Sequence, residues 1–407
     1  MKKLLCILCV FSLLLTLCAG ALADDVIELE YLNHKPEASA IDAMQAIIDA
    51  FNASHPGIHV TQTTTPDFNT VLTTRAQTND LPDLFSCSTS SSWELLYKDG
   101  MIMNIDGQAF LENVEAETLS LSQLDGETWR MPYSLSCYGL YVRTDIFEKL
   151  GLALPETWED LLACCETLKA NGYTPFIMGD KDMGTVGQRM ERLMGIINPD
   201  CNEEFAAIYD GELDPADSVV LSVFPQAFID IANYSAEDSL GVDNEAAYQN
   251  FVAGQGALMI QGTWALATLQ AYDPELQVAF IPLPNPTGDV DKVPISIDTS
   301  FCISANTKYP EACLTFMEYM STIEAAQVYC DGEGSPNVIK GVVYGVKEFE
   351  KITAAMNEGR VFVSLNAVWP SGFRNALRDY AQALIMDKDA EPFVEAALEV
   401  IGEYYAK

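Results

Sequence analysis

The sequence predicts an α/β protein built as two lobes, and three observations carry that expectation. Its 407 residues exceed what a single hydrophobic core usually fills. Strand-like runs alternate with helical ones, the pattern of a parallel sheet covered by helices. The stretch 131–169 (MPYSLSCYGLYVRTDIFEKLGLALPETWEDLLACCETLK) then holds an alternating strand and two helices with start and stop signals, and it reads as the passage from the first lobe into the second.

Taken in order, the chain opens with Lys2-Lys3, an apolar run from Leu4 to Cys18, and Ala21-Leu22-Ala23 before Asp24, the anatomy of an export signal (residues 1–23) cleaved after Ala23. Cys18 offers lipid anchoring as the alternative; Leu17 argues against it, because the residue before a lipidated cysteine is normally small. Both place the protein outside the cytoplasm. Residues 26–32 (VIELEYL) alternate as a strand, and 33–38 (NHKPEA) form the loop at its end. Ser39 and Asp42 have the spacing of a capping box for a helix that buries Ile41, Met44, Ile47, Ile48 and Phe51 and stops at His55-Pro56-Gly57. Residues 58–64 give the next strand, and 81–85 (LPDLF) a short buried one running into a serine-rich loop before Trp93.

In the passage segment, Tyr138, Leu140 and Val142 alternate as a strand with one face in a core, and Thr144 caps a helix ended by Gly151. Thr157 and Asp160 form a second capping box, ahead of a stripe of Trp158, Leu161, Leu162, Cys165 and Leu168. Residues 172–243 give no firm assignment beyond loops and helices. A helix at 245–253, a strand at 257–260 and a helix at 264–272 follow, which sets Trp264 at a strand-to-helix junction. The proline-rich 281–287 (IPLPNPT) reads as an extended connection, 295–303 as a strand, and Pro310 and Thr322 as helix starts. The chain ends in helices at 373–386 and 391–405, preceded by Trp369-Pro370-Ser371-Gly372.

Composition narrows the function. The formal charge of -37 becomes -39 once the two leader lysines are removed, and the 22 Lys and Arg form no basic block, which excludes a nucleic-acid partner. Eight of the 11 cysteines remain after the leader; at this length they are no disulfide scaffold and several fit core positions. G-x-S-x-G, Walker-loop, H-E-x-x-H and dinucleotide signatures are missing, so no cofactor is expected. His55 and His59 are four apart, but Pro56-Gly57 breaks any helix that would set them on one face, so no metal site is expected either. What recurs is an aromatic ring at an element end: Trp93, Tyr138, Trp264 and Trp369. A flat apolar ring packs on the C–H face of a pyranose while neighbouring carboxylates and amides bind its hydroxyls.

The segments 51–60 (FNASHPGIHV), 82–86 (PDLFS), 131–169, 251–264 (FVAGQGALMIQGTW), 281–284 and 303–329 resemble, in order and over nearly the whole mature chain, the extracellular solute-binding proteins of carbohydrate ABC importers, the maltose-binding-like group. The pattern F-x-x-G-x-x-A-M-x-x-x-G-x-W is present with Leu258 in the methionine position. The resemblance implies a type II periplasmic-binding-protein fold: an N-terminal lobe of residues 24–135 and 300–346, a C-terminal lobe of 136–299 and 347–407, and a hinge of three crossings near 135–138, 296–300 and 345–350. It implies a mono- or oligosaccharide in the interlobe cleft, delivery to membrane permease subunits, and a monomer without enzymatic activity. Trp264 and Trp369 fall where such proteins stack sugar rings, and Glu37 and Asp298 where carboxylates meet hydroxyls. Ser136-Cys137 stands where many members carry a glutamate. Two alternatives stay open: the same fold holding a polyamine, peptide or other cationic solute, in view of the acidic charge, and a secreted carbohydrate-active enzyme.

Overall fold

The computed structural model describes residues 26–405 apart from residues 66, 89–92, 125 and 370. The leader, Cys18 and the Ala23 cleavage position lie outside the described residues, as does the side chain of Trp93. Among the described residues the main sheet has nine strands, numbered here along the chain: β1 (Ile27–Asn33), β2 (Ile58–Thr64), β3 (Leu84–Cys87), β4 (Met131–Arg143), β5 (Thr174–Phe176), β6 (Gly256–Gly262), β7 (Val278–Ile281), β8 (Val293–Ile303) and β9 (Val361–Val363). Their order is β2-β1-β3-β8-β4-β6-β5, with β9 added on β8 and β7 on β4. β1 is parallel to β2 and β3, and β5 is parallel to β6, each joined through helices.

Two long strands join the lobes. β4 pairs with β8 from Met131 to Cys137 and then with β6 and β7 from Tyr138 to Arg143. β8 pairs with β9 at its start and with β3 at its end. One apolar cluster runs from Leu29 to Leu135 and again from Ile297 to Ile339, with a smaller one around Phe68, Leu72 and Phe85. Two others draw on residues from Cys137 to Ile295 and from Phe349 to Ile401. The chain therefore leaves one core and enters the next within β4, within β8 and between Ile339 and Phe349, so each lobe keeps a core of its own.

All 13 residues of β4 are buried. The one-sided strand expected from Tyr138, Leu140 and Val142 is covered on both faces: those three enter one cluster, while Cys137 and Tyr141 enter another on the opposite side. That is what helices on both faces of a central strand produce.

Helix ends follow local chemistry with two departures. Thr157 and Asp160 form the reciprocal capping box, and Thr322 caps the Ile323–Glu333 helix. The Ser39–Asp42 box does not form, because Pro36-Glu37 is already extended and the helix starts one turn position earlier, over Ala38–Ser54, with Glu37 at its N-cap. Thr144 likewise lies inside its helix, Thr144–Leu150, which follows Arg143 without a side-chain cap; the Arg143 guanidinium ties Asp145 to the carbonyls of Phe251 and Val252. The unassigned region 172–243 contains β5 and helices Met183–Ile197, Cys201–Tyr209 and Val219–Asn233.

Gly139 marks a close approach of backbone in the second lobe, since a Cβ there would lie 2.5 Å from the Ile281 carbonyl oxygen and 3.2 Å from the Phe280 ring. Gly139→Ala is expected to lower stability by about 3 kcal/mol, the upper end of overpacking costs, against about 1 kcal/mol for loss of the cap in Thr157→Ala. Urea unfolding of both variants beside wild type measures the difference.

Candidate functional site

The carboxyl ends of β1 and β3 open on one side of the sheet, where ligands of α/β folds collect. The loop after β1 carries His34, Lys35, Pro36 and Glu37, and Ser88 follows β3. Facing them from the second lobe are the helix Asn244–Val252 and Trp264, the residue that begins the helix Ala265–Tyr272. Between the walls lie two cavities that share Pro36, Glu37 and Trp264: an outer one of about 650 Å³ and an inner one of about 190 Å³. Together they make one groove running from the surface to the crossing strands.

Trp264 forms the waist of this groove. Its indole lies on Gly262, where a Cβ would meet ring atoms at 2.0–2.4 Å, and 6.3 Å from the Tyr138 ring at a tilt of 40°. Half-buried, it offers its remaining surface to both cavities. Tyr248, held by Asn244 Nδ2 at 2.9 Å, and the exposed Tyr272 continue an aromatic surface along the outer cavity. Across from them Glu37 reaches in from the other lobe; its Oε2 is shielded from water and has no hydrogen-bond partner among the described residues. Asp182 and Asp243 also line this cavity, but their carboxylates accept from the amides of Asn244 and Ala246 and thereby fix the helix start.

The floor of the inner cavity is the pair of crossing strands. Ser136 and Ser296 meet there, Oγ to Oγ at 2.9 Å. The β4–β8 register shifts around Asp298, a bulge that turns this residue out of the ladder and toward the cleft. Its carboxylate is bound by the Lys35 ammonium, which also reaches Glu333 Oε1 at 3.1 Å. His34 Nε2 donates to the Asp298 carbonyl at 3.0 Å, leaving Nδ1 to accept from Ser86 Oγ at 2.8 Å. Burial alone would lower the Lys35 amine, but Asp298 and Glu333 outweigh it and hold it well above its ordinary value. Burial pushes the Glu333 carboxyl up against the pull of Lys35, and burial, helped by the Lys35 charge, brings the His34 imidazole down to about 4.

Of the six residues singled out in the sequence, Glu37, Trp264 and Asp298 meet at this cleft. Tyr138 does not line it. It is 1% exposed, enclosed by Trp264 on one side and by the Arg192 guanidinium, 4.8 Å above its ring, so it backs the wall and offers no face. Trp369 does not line it either: 3% exposed, it stacks on Phe205 at 5.7 Å and meets Phe373 edge-on at 4.9 Å, inside the second lobe's core. The stacking role that the resemblance implied for Trp369 is corrected on that ground, since both neighbours occupy the surfaces a ring would need. Trp93 lies outside the described side chains. Residues unmarked in the sequence complete the site: Gln188 and Arg192 from the helix Met183–Ile197, Asn366 and Tyr248.

Two outcomes follow from this geometry. Because unfolded His34 takes a proton near pH 6.5 and the folded one only near pH 4, the unfolded state binds more protons between those values. Its contribution to stability is present above that window and is lost as pH falls through it. Melting temperatures from pH 7 to pH 4 should fall less steeply for His34→Gln than for wild type. In Gly262→Ala the new methyl displaces the indole into the groove; a red shift in tryptophan emission relative to wild type, with less than about 3 kcal/mol lost in stability, is the expected readout.

Comparison with known proteins agrees with this architecture. The profile of the family described as bacterial extracellular solute-binding protein matches residues 37–327. A relative named multiple sugar-binding protein, from Streptococcus mutans serotype c, is 28% identical over 346 residues, covering 81% of this chain and 80% of its own. The melibiose/raffinose/stachyose-binding protein MelE of Bacillus subtilis is 23% identical over 171 residues, 40% of this chain and 39% of its own. Among solved structures, the solute-binding protein RafE in complex with raffinose superimposes with a TM-score of 0.82 at 21% identity, covering 93% of this chain and 99% of that one. A sugar transporter from Bacillus licheniformis in complex with stachyose gives 0.75 at 16% identity, over 93% and 100%. With its two lobes, crossing strands and interlobe cleft, this chain belongs to the bacterial extracellular solute-binding protein family.

Proposed function

We propose that the protein captures a mono- or oligosaccharide between its lobes and delivers it to the permease of an ABC importer, without chemical turnover. The observation that carries this reading is the waist of the groove, where a half-buried indole on one lobe faces a water-shielded carboxylate oxygen on the other that has no partner among the described residues. A pyranose has the matching surfaces, a C–H face for Trp264 and hydroxyl donors for Glu37. The groove is longer than one ring, which suits an oligosaccharide, and relatives of this chain carry sugar-binding names. Asp298 stands at the inner end as a further hydroxyl acceptor, its second oxygen held by Lys35. The carboxylates of Asp182, Asp243 and Asp298 are engaged in fixing backbone or cation, an arrangement suited to holding a ligand rather than to acid–base work. The leader cleaved after Ala23 accounts for export, and each lobe's separate core supports action as a monomer that closes about its strands.

A cationic solute is the second reading, favoured by one observation: Glu37, Asp182, Asp243 and Glu245 surround the outer cavity beside three aromatic rings. A thermal-shift panel of neutral sugars, sugar oligomers and polyamines separates the two, because a ligand at about 100 times its Kd adds about 2.7 kcal/mol to stability. A sugar raises the melting temperature if the first reading holds; a response to spermidine alone would replace it with the second. For the sugar found, Trp264→Ala is expected to weaken binding by about 2 kcal/mol, roughly thirtyfold. An unchanged Kd by calorimetry removes Trp264 from the site.

A further inference from the structure

The inner cavity ends on a group of charges that the binding of neutral hydroxyls leaves without a use. Arg192 lines the cavity. Behind it, Arg192 Nη1 lies 3.9 Å and Arg374 Nη1 3.7 Å from the oxygens of Glu191, outside hydrogen-bond range. Arg378 acts on the same carboxylate, and its stem crosses the helix Met183–Ile197 at Gly187, where a Cβ would come within 2.8 Å of Arg378 Cδ. Three guanidiniums thus share Glu191. The neighbouring Arg189 is separately matched by Asp180 at 2.7 Å, and Asp298, which also acts on Arg192, gives an oxygen to Lys35. The Nε atoms of Arg374 and Arg378 are shielded from water and have no hydrogen-bond partner among the described residues. Arg192 and Glu191 are about 95% buried as side chains, so water does little to screen the surplus. Burial pulls the Arg192 guanidinium down, and it pushes the Glu191 carboxyl up against the pull of Arg192, Arg374 and Arg378. A buried excess of cations is costly until an anion joins it.

We infer that the inner cavity is a subsite for an acidic sugar ring, a uronic acid residue whose carboxylate pairs with Arg192 while Gln188, Asn366, Ser136 and Ser296 hold its hydroxyls. This deepens the sugar reading and rests on it. About 190 Å³ admits a single ring, roughly the room of six waters at ~30 Å³ each. The groove is electrically polarised. Glu37, Asp182, Asp243 and Glu245 border its outer part, so an anionic group is repelled there and drawn to the inner end, and the remaining rings of an oligosaccharide run outward past Trp264. Guanidinium is the donor suited to a carboxylate, presenting parallel N–H groups in a rigid fork.

The test uses sugars matched except at C6: galactose against galacturonate, and galactobiose against digalacturonate, titrated calorimetrically into the mature chain at low ionic strength. The acid of at least one pair should bind tenfold or more tighter than its neutral partner, and its affinity should fall with added salt. In Arg192→Gln the preference should collapse to within about twofold, and Arg192→Lys should keep part of it. Melting curves confirm folding, and Arg374→Gln, at a more exposed member of the cluster, supplies a second variant in which the preference shrinks. Neutral sugars binding as well as their acids, or Arg192→Gln weakening both alike, overturns the acidic subsite and leaves the sugar reading in place. A folded protein that responds to no sugar, acidic or neutral, overturns both. Galacturonate and sodium acetate bound equally would reduce the site to one for free carboxylates and overturn the sugar part of the inference.

Discussion

The ion pair between Lys35 and Asp298 sits where every other feature of the cleft converges. Asp298 occupies the bulge in β8, the point at which that strand leaves the second lobe's ladder for the first. A bulge frees backbone groups that must find partners elsewhere. Here the loop after β1 supplies them: His34 takes the Asp298 carbonyl and Lys35 takes its carboxylate. The same contacts fix the loop. Glu37, two residues on, then starts the helix Ala38–Ser54 with its carboxylate over the groove. One buried ammonium therefore sets the hinge strand, the wall of the first lobe and the acidic contact of that wall. The arrangement is costly, because two carboxylates and one amine lose their water and each ion removed costs several kcal/mol. Ser335 helps by donating to Glu333 from both amide and hydroxyl.

The crossing strands explain how such a rigid centre permits movement. β4 and β8 are buried along almost their whole length, yet the clusters on either side share few residues, so a rotation about the strands leaves each core intact. At the crossing the facing side chains are Ser136 and Ser296, small enough to leave a cavity between the lobes and polar enough to be wetted when it is empty. The Trp264 wall travels with the second lobe and the Glu37 wall with the first. On the proposed reading, their approach on closure brings an apolar face and an acceptor to the same ligand from opposite sides, with affinity set partly by what that closure costs.

Much of this was legible in the sequence where local chemistry decides structure. β2 falls on the expected residues because His55-Pro56-Gly57 stops the preceding helix and a clean alternation follows, and Thr157–Asp160 caps as spaced. The candidate site was legible where a residue sits at a junction of elements, as Glu37 and Trp264 do. It was not legible where long-range packing decides. Trp369 has the same local setting as Trp264, but Phe205, distant in sequence, stacks on it and takes it into the core. The helix Met183–Ile197 was hidden for a related reason. It buries the charged Arg189, Glu191 and Arg192 along with its apolar residues, so its burial does not follow polarity, and Gly187 and Gly195 look like helix breakers. Both are packing sites, one for the Arg378 stem and the other for the Phe362 ring, where a Cβ would lie 2.4 Å from ring carbon. Arg192 and Gln188 went unseen because their helix did.

The charge distribution carries the last step. A chain with 59 acidic and 22 basic residues is negative over most of its surface, and a uniformly negative groove would hold an anion nowhere. Yet Lys35 and Arg192 line the inner end, where both are buried away from screening ions, and Arg374 and Arg378 gather behind Arg192 around Glu191. Lys35 is bound by Asp298 and Glu333, whereas Arg192, Arg374 and Arg378 gather around Glu191, with Asp298 acting on Arg192 as well. Position along the groove, and not net charge, therefore decides what each part of a ligand meets on the proposed reading: carboxylates and aromatic rings in the outer cavity, and a hydroxyl-lined floor with a guanidinium beside it in the inner one. On the proposed reading, a ligand enters by its uncharged rings' affinity for Trp264 and is oriented by whichever end pairs with Arg192.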